Sequence, residues 1–368
     1  MFPSPLPFFT FWRPGMLRRW RQRVTFIDIV VWAIGIAIGA AVVYGTIVTW
    51  TTAQYSPEQW VNLTIDGLKL GGIYALIALG YTLVYGILRM INFAHSEVFM
   101  AGPFTAVFLA KYLNSIGFYN ENPIVSLVLI TVFSALISAT VAILLERIAY
   151  RPLRYAPRLV PLITAIGASF FLQYTFRGFY GNDPETYPTL DALTGVIYVG
   201  QIPIPKTDAL VIIASMVLML ILYIIVQRTK IGKAMRSVSE DKETAALMGI
   251  NVDRVIVFTF TLGGISAGIA GILYSLIYSQ VHFYMGFIPG LKAFTAAVLG
   301  GIGNVVGAWL GGTLLGLIES LGPNLFLSGL GIPAANQLKD GIAFAILVFI
   351  LIFRPQGILG ERASKTKV

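Results

Sequence analysis

The chain has 368 residues, 57% of them hydrophobic and only 12% charged, with a formal net charge of +9. A soluble domain carries about twice that share of charge. Apolar runs of about 20 residues recur along the whole chain, which excludes an ordinary soluble enzyme and indicates an integral membrane protein. The runs are continuous rather than alternating, so a β-barrel is not expected. Cysteine is absent, and the only histidines are His95 and His282. Disulfides, thiolate metal sites and cysteine nucleophiles are therefore excluded, and neither a His-built metal site nor a cofactor is expected. The basic excess does not point to nucleic acid. Arg and Lys gather in short loops at alternate helix ends: Arg13 to Arg23, Arg147 to Arg158, Arg228 to Arg254 and Arg354 to Lys367. This is the positive-inside pattern that orients a chain in a membrane.

In chain order, residues 1–55 read as a cytoplasmic tail, Met1 to Arg23, followed by an extra N-terminal transmembrane helix at Ile29 to Thr49. A signal peptide is the rival reading, against which stand the long basic lead and an apolar run that exceeds a usual signal core. Thr51 to Asp66 is polar and without Lys or Arg, which suits the outer side. Apolar segments follow at Leu68–Leu88, Val98–Leu109 and Ile124–Leu145. The last ends in a basic loop, Glu146 to Arg158. Leu159–Phe176 comes next, then an acidic, proline-bearing outer loop, Arg177 to Asp208, and then Ala209–Val226. Gln227 to Arg254 is the longest inner loop. Val255–Tyr278 follows it. Ala293–Gly301 and Val305–Leu317 read as a short pair joined by Gly-Ile-Gly-Asn, and Gly341–Phe353 is the last segment. The expected fold is all-α, a polytopic transmembrane helical bundle of about eight to ten spans with short or broken helices. Both termini are expected inside.

Arg89-Met-Ile-Asn-Phe-Ala-His-Ser-Glu97 is a polar kernel between two apolar stretches. Asn92 suits a helix N-cap, and Glu97 would then lie near the positive first turn. Capping accounts less well for His95 and Glu97, because ionisable groups near the bilayer usually line a pathway or a partner contact. Asn92, His95 and Glu97 are thus candidates for the substrate pathway or gating, with capping as the competing reading.

Glycines recur at helical spacing: Gly264 with Gly268; Gly303, Gly307 and Gly311; Gly312 with Gly316. In lipid such spacing serves close helix packing. Gly300, Gly301, Gly303 and Asn304 mark either packing or a helix break beside a transport path. Gly301-Ile-Gly303 mimics part of a dinucleotide fingerprint but lacks its βαβ context. No Walker A sequence exists, since Gly232-Lys233 is followed by Ala234; if ATP is used, another chain binds it. In the inner loop, Ser237-Val-Ser-Glu240 reads as a capping box that starts a short helix, and Gly249 as its stop. Asp253 reads as the cap of the next membrane helix. A short helix on the inner face reads as either a solvated connector or a docking element.

Glu243-Thr-Ala-Ala-Leu-Met-Gly249 resembles the Glu-Ala-Ala-x-x-x-Gly loop of ABC-importer permeases, with Thr244 in place of the first Ala. Gly72-Ile-Tyr-Ala-Leu-Ile-Ala-Leu-Gly-Tyr-Thr-Leu-Val-Tyr-Gly86 and Ile91-Asn-Phe-Ala-His-Ser-Glu97 are similar to motifs of the LivH-type permeases of branched-chain amino-acid importers. So are Leu299-Gly-Gly-Ile-Gly-Asn304 and Arg354-Pro-Gln-Gly-Ile-Leu-Gly360. The resemblance runs from about Trp60 to Gly360. It departs at Ser96, where the family usually has Gly, and residues 1–55 exceed the family core.

The resemblance implies a permease transmembrane domain at 56–368 with a cytoplasmic coupling loop at 227–254. Glu240, Glu243, Ala245, Ala246 and Gly249 would carry the coupling to an ATPase. It implies no catalytic residues and no enzyme activity in this chain. The implied partners are a second related permease subunit, two ATP-binding subunits, a periplasmic solute-binding protein and membrane lipid. The implied location is the bacterial cytoplasmic (inner) membrane, and the implied cargo is neutral or branched-chain amino acids. A urea or short-amide permease is the alternative, although those favour Met where this chain has Phe93. An ion-coupled secondary transporter would need midplane acids or His relays. Outside the kernel only Glu319 and Asp340 stand out, near predicted helix ends.

Overall fold

The computed structural model describes residues 26–154, 156–157, 159–200, 202–354 and 356–360. The expected cytoplasmic tail, Met1 to Arg23, lies outside the described residues, as do Arg158 and the basic stretch after Gly360. The chain divides into two compact units. One holds α1 and Leu325–Pro333, and the other runs Tyr55–Asn324 and resumes at Ala334.

In the smaller unit α1 (Phe26–Thr51) is a long apolar helix with Trp32, Ile36 and Tyr44 on its exposed surface. A Cβ on Gly45 would overlap the Phe326 carbonyl, and one on Gly329 would overlap the Gly45 carbonyl. Glycine at both places lets the two backbones touch.

The larger unit is organised by α2 (Pro57–Leu88). Ser56 Oγ accepts from Gln59 N at 3.3 Å while Gln59 Oε1 accepts from Ser56 N at 2.8 Å. This capping box, with Pro57 in the first turn, starts the helix well before Leu68. The polar stretch up to Asp66, expected on the outer side, is therefore helical from Pro57 onward; its polar side chains hide the helix from an apolar-run reading. At 32 residues the helix is about 48 Å long, well over the ~30 Å hydrocarbon core. From Ile73 to Leu79 every residue is buried, as befits a helix apolar on all sides.

The remaining helices are α3 (His95–Ser115), α4 (Phe118–Glu121), α5 (Pro123–Leu144), α6 (Leu159–Tyr180), α7 (Lys206–Arg228), α8 (Lys230–Glu240), α9 (Lys242–Leu247), α10 (Val252–Tyr278), α11 (Phe287–Gly300), α12 (Val305–Gly322) and α13 (Lys339–Phe353). α5 continues through a π turn at Leu145–Tyr150. The long loop between α6 and α7 carries β1 (Glu185–Thr186) and the hairpin β2 (Val196–Val199) and β3 (Ile202–Pro205). β1 pairs antiparallel with β4 (Gln280–Val281), Glu185 opposite Val281, and in the hairpin Val196 lies opposite Pro205.

Small residues make the main seams. Cβ atoms on Gly67 or Gly71 of α2 would run into the α12 backbone, and on Gly312 or Gly316 into the α2 backbone. Gly264 and Gly268 of α10 lie as closely against Ala135, Ser138 and Ala139 of α5. In lipid this van der Waals contact replaces the hydrophobic drive. Ser134 and Ser138 add hydrogen bonds from Oγ to the carbonyls of Gly268 (2.9 Å) and Val98 (2.7 Å).

Among the described residues eight helices are long and apolar enough to cross a membrane. α3 and α11 account for the other two expected segments. α11 has 14 residues, about 21 Å, and falls short of the ~30 Å core.

Candidate functional site

The kernel sits where α2 ends and α3 begins. Arg89 closes α2 in the left-handed conformation (φ 56°), and the chain turns through Met90 to Ala94. Asn92 does not cap α3. The first-turn amides are met by backbone carbonyls, His95 N to Asn92 O at 3.1 Å and Val98 N to Ala94 O at 3.2 Å. The Asn92 side chain is used elsewhere: its Oδ1 accepts from Tyr150 Oη at 2.5 Å.

Asn92, His95 and Glu97 are all buried, and each reaches a different neighbour. Asn92 holds the π turn after α5. His95, the first residue of α3, packs its ring against α2, edge-on to Tyr81 at 5.0 Å and hydrogen-bonded to the Ile77 backbone, with no hydrogen-bond partner for Nε2 among the described residues. A Cβ on Gly80 would overlap the His95 ring, so the fit needs glycine there. Glu97 faces α6. Its Oε1 accepts from Gln173 Nε2 (2.8 Å), Ser169 Oγ (3.1 Å) and Ser96 Oγ (3.2 Å), while Oε2 has no hydrogen-bond partner among the described residues. The three residues form a hub between helices rather than one cluster sharing hydrogen bonds.

A cavity of about 190 Å³ opens next to this hub. Its walls are Tyr81, Phe93, Ile166, Phe170, Phe287 and Leu291, and its polar patch is Ser96 and Ser169, both of which donate to Glu97. Gly286 and Gly290 press onto Ser96, where a Cβ on either would strike it. Ser96 Oγ also lies 2.8 Å from Phe93 O and shares its one proton between that carbonyl and Glu97 Oε1, a local bond that a Gly at this position would lack.

Gly300, Gly301, Gly303 and Asn304 form a break between α11 and α12. Gly301 (φ 106°) and Gly303 (φ 99°) take backbone angles that favour glycine. Asn304 caps α12, its Oδ1 accepting from Gly307 N at 3.0 Å. Gly300 and Gly307 touch backbone to backbone, whereas a Cβ on Gly303 would meet nothing, so Gly303 serves the turn and not packing. The segment 356–360 seats on the break: Ile358 N donates to Leu299 O (2.8 Å), Leu359 N to Gly300 O (2.9 Å), and Asn304 Nδ2 to Leu359 O (3.0 Å).

The inner loop differs from its sequence reading in three ways. Ser237 starts no helix; it lies inside α8, which Thr229 caps, and its hydroxyl donates back to Lys233 O at 3.1 Å. Asp241 caps α9 instead, accepting from Glu243 N (2.9 Å) and Thr244 N (3.2 Å), so the docking helix begins after Glu240. Gly249 (φ 83°) follows its end, with Ile250 N donating to Ala245 O at 3.1 Å. Asp253 does not cap α10; Asn251, in extended conformation, accepts from Arg254 N at 3.0 Å. Asp253 pairs with Arg151 at 2.5 Å and with Arg154, which also reaches the buried Glu146.

Ala245 is buried against the protein body, while Glu240, Glu243 and Ala246 are exposed. The residues that stand out most are Leu247 and Met248, 87% and 79% exposed. Lys242, at the head of α9, has its amine pushed below the usual lysine value, first by burial and then by Arg154 and Arg89.

Sequence reading missed a buried ion group. Lys292 of α11 pairs with Glu319 of α12 at 2.6 Å and with Asp340 of α13 at 2.7 Å, and Tyr74 of α2 lies 3.3 Å from Glu319. The sequence sets Glu319 and Asp340 near helix ends, but Lys292 lies one residue before the apolar segment that begins at Ala293. A lone lysine inside an apolar helix was the available signal.

The model for the branched-chain amino acid transport system permease component matches residues 63–351. The chain belongs to this family. It is 41% identical over 310 residues to the high-affinity branched-chain amino acid transport system permease protein BraD of Pseudomonas aeruginosa, covering 82% of this chain and 96% of that one. It is 40% identical to LivH of Escherichia coli K12 over 301 residues, 80% of this chain and 94% of that one. A probable LivH of Methanocaldococcus jannaschii is 26% identical over 80% of this chain and 91% of its own length. The chain is thus a multi-pass transport permease of the cytoplasmic membrane. α1 lies before the matched span.

Proposed function

We propose that this permease forms one half of the membrane path of an ATP-driven importer for branched-chain amino acids. A second related permease completes the path, two ATP-binding subunits dock below, and a periplasmic binding protein delivers the solute. The observation that carries the reading is α9. A helix capped at both ends holds two bare apolar side chains, Leu247 and Met248, away from the body. Exposed apolar pairs of this kind fit a partner surface. The chain has no Walker A sequence, so the driving motion enters from another chain. Glu240, Glu243, Ala246 and Gly249 frame the contact, and Ala245 seats the helix on the permease.

The cargo follows from the relatives' names and from the cavity by the kernel. Its walls are aromatic and aliphatic and suit a branched side chain, and Ser96 and Ser169, which Glu97 holds from behind, supply the polar end. Asn92, His95 and Glu97 set the gate by holding three helices at one point. The break at Gly300 to Asn304 lets α11 and α12 tilt against each other. The match beginning at residue 63 supports 56–368 as the transporting domain with its loop at 227–254, and residues 1–55 as an addition. The test is uptake of labelled leucine and labelled urea by vesicles holding the reconstituted complex. ATP-dependent leucine uptake is expected. Urea uptake without leucine uptake, or leucine uptake driven by a proton gradient without ATP, would overturn the reading.

A further inference from the structure

On the side of the larger unit that carries the basic loops, a cavity of about 480 Å³ opens where the π turn after α5 meets the start of α10. Its lining includes Arg147, Arg151, Asp253, Arg254, Val257 and Phe258. Three guanidinium groups face one carboxylate, and that carboxylate is already taken by Arg151 and Arg154. Arg147 and Arg254 are exposed, and among the described residues neither side chain has an ion pair or a hydrogen bond.

The positive-inside rule accounts for arginines near helix ends. It does not account for two unpaired arginines meeting over an apolar floor. Val257 and Phe258 are half-buried on α10, and Leu144 and Ile148 beside Arg147 turn apolar surface outward. A basic rim beside an apolar wall, at the ends of two helices long and apolar enough to cross a membrane, matches an amphiphile with an anionic head. Arginine also fits phosphate geometry, because its planar fork donates two parallel hydrogen bonds.

We propose that this cavity is a binding site for an anionic phospholipid of the cytoplasmic leaflet. Arg147 and Arg254 hold the phosphodiester, and Val257 and Phe258 receive the start of an acyl chain. Arg151 stays engaged with Asp253 and fixes the rim. The site joins the α5 and α10 ends, the same two helices that Gly264 and Gly268 bring together deeper in the membrane.

The test uses the full chain in detergent, with native mass spectrometry after exposure to phosphatidylglycerol or to phosphatidylcholine. The paired substitution Arg147→Gln with Arg254→Gln should lower phosphatidylglycerol retention about fivefold per arginine, the equivalent of ~1 kcal/mol each, and leave phosphatidylcholine unchanged. If the pair is not recovered folded, each single substitution should show its own fivefold loss. Unchanged phosphatidylglycerol retention overturns the proposal. So does an equal loss of both lipids, which would mean no phosphate is read. Inorganic phosphate binding the unaltered chain as tightly as the lipid would reduce the site to an anion site and overturn the lipid assignment. Loss of ATPase co-elution with lipid retention intact would assign the arginines to a protein partner instead.

Discussion

The kernel at the start of α3 and the helix α9 break the same rule in opposite directions. The kernel buries Asn92, His95 and Glu97 among apolar side chains, and α9 with its end holds Leu247 and Met248 in the open. A buried polar group costs free energy unless it is paired, and an exposed apolar pair gains nothing until something covers it. The kernel meets most of this cost internally through Tyr150, the Ile77 backbone, Ser169 and Gln173, while His95 Nε2 and Glu97 Oε2 have no hydrogen-bond partner among the described residues. α9 has no internal answer. One region is thus tied largely from within this chain, and the other leaves apolar surface open for the docking proposed above.

The sharpest way to break the comparison is at Gly80. Gly80→Leu drives a side chain into the His95 ring, and overpacking of this kind costs ~1–3 kcal/mol or more. The amount of folded permease in membranes should fall steeply, and His95→Ala in the same chain should recover part of it. Equal thermal unfolding of Gly80→Leu and the unaltered chain would show that the kernel is loosely packed.

Next in size is the pair Leu247→Asp with Met248→Asp. A surface change away from contacts shifts stability by about ±0.5 kcal/mol at most, whereas an interface anchor is worth ~2 kcal/mol or more. Solute-stimulated ATP hydrolysis by the purified complex should drop roughly tenfold or more while the permease level holds. Ala245→Trp should act differently, lowering the folded permease itself because Ala245 faces inward. If the aspartate pair leaves hydrolysis intact, α9 is a connector and the contrast with the kernel dissolves.

Glu97 separates its two roles. Glu97→Ala strips the partner from Ser169 and Gln173, at ~1–3 kcal/mol for each donor left unsatisfied. Glu97→Gln keeps an acceptor and should spare the protein level. Labelled leucine uptake should nonetheless fall in Glu97→Gln, because the free carboxylate oxygen is lost. Normal uptake by Glu97→Gln would leave Glu97 a purely structural tie. The smallest effect is expected for Tyr150→Phe, which removes one hydrogen bond to Asn92 and costs ~1 kcal/mol, read as a modest drop in melting temperature with transport near normal.

Features fixed by local chemistry could be read from the sequence. The glycine break at Gly301 and Gly303, the stop at Gly249 and the packing of Gly264, Gly268, Gly312 and Gly316 depend on backbone angle or on the absence of a side chain. Choices among several local candidates could not be read. Ser237, Asp241, Asn251 and Asp253 all suit a cap, and the outcome turned on where α8 ended and on which acid Arg151 and Arg154 reached. Asn92 was likewise drawn away by Tyr150, a partner 58 residues downstream. The burial of Ala245 and the exposure of Leu247 follow from how α9 rotates on the body, which a short segment does not encode. Lys292 escaped because its partners come from two later helices.

The seat of 356–360 on the glycine break has a consequence for how the chain is made. The last carbonyls of α11 find their donors in Ile358 and Leu359, which leave the ribosome only after α12 and α13. Until then those carbonyls and the open turn must be met by water at the membrane edge, since lipid supplies no donors. Synthesis itself thus holds this corner unfinished to the end. A chain halted before residue 358 would lack both donors and leave the Leu299 and Gly300 carbonyls without these hydrogen bonds.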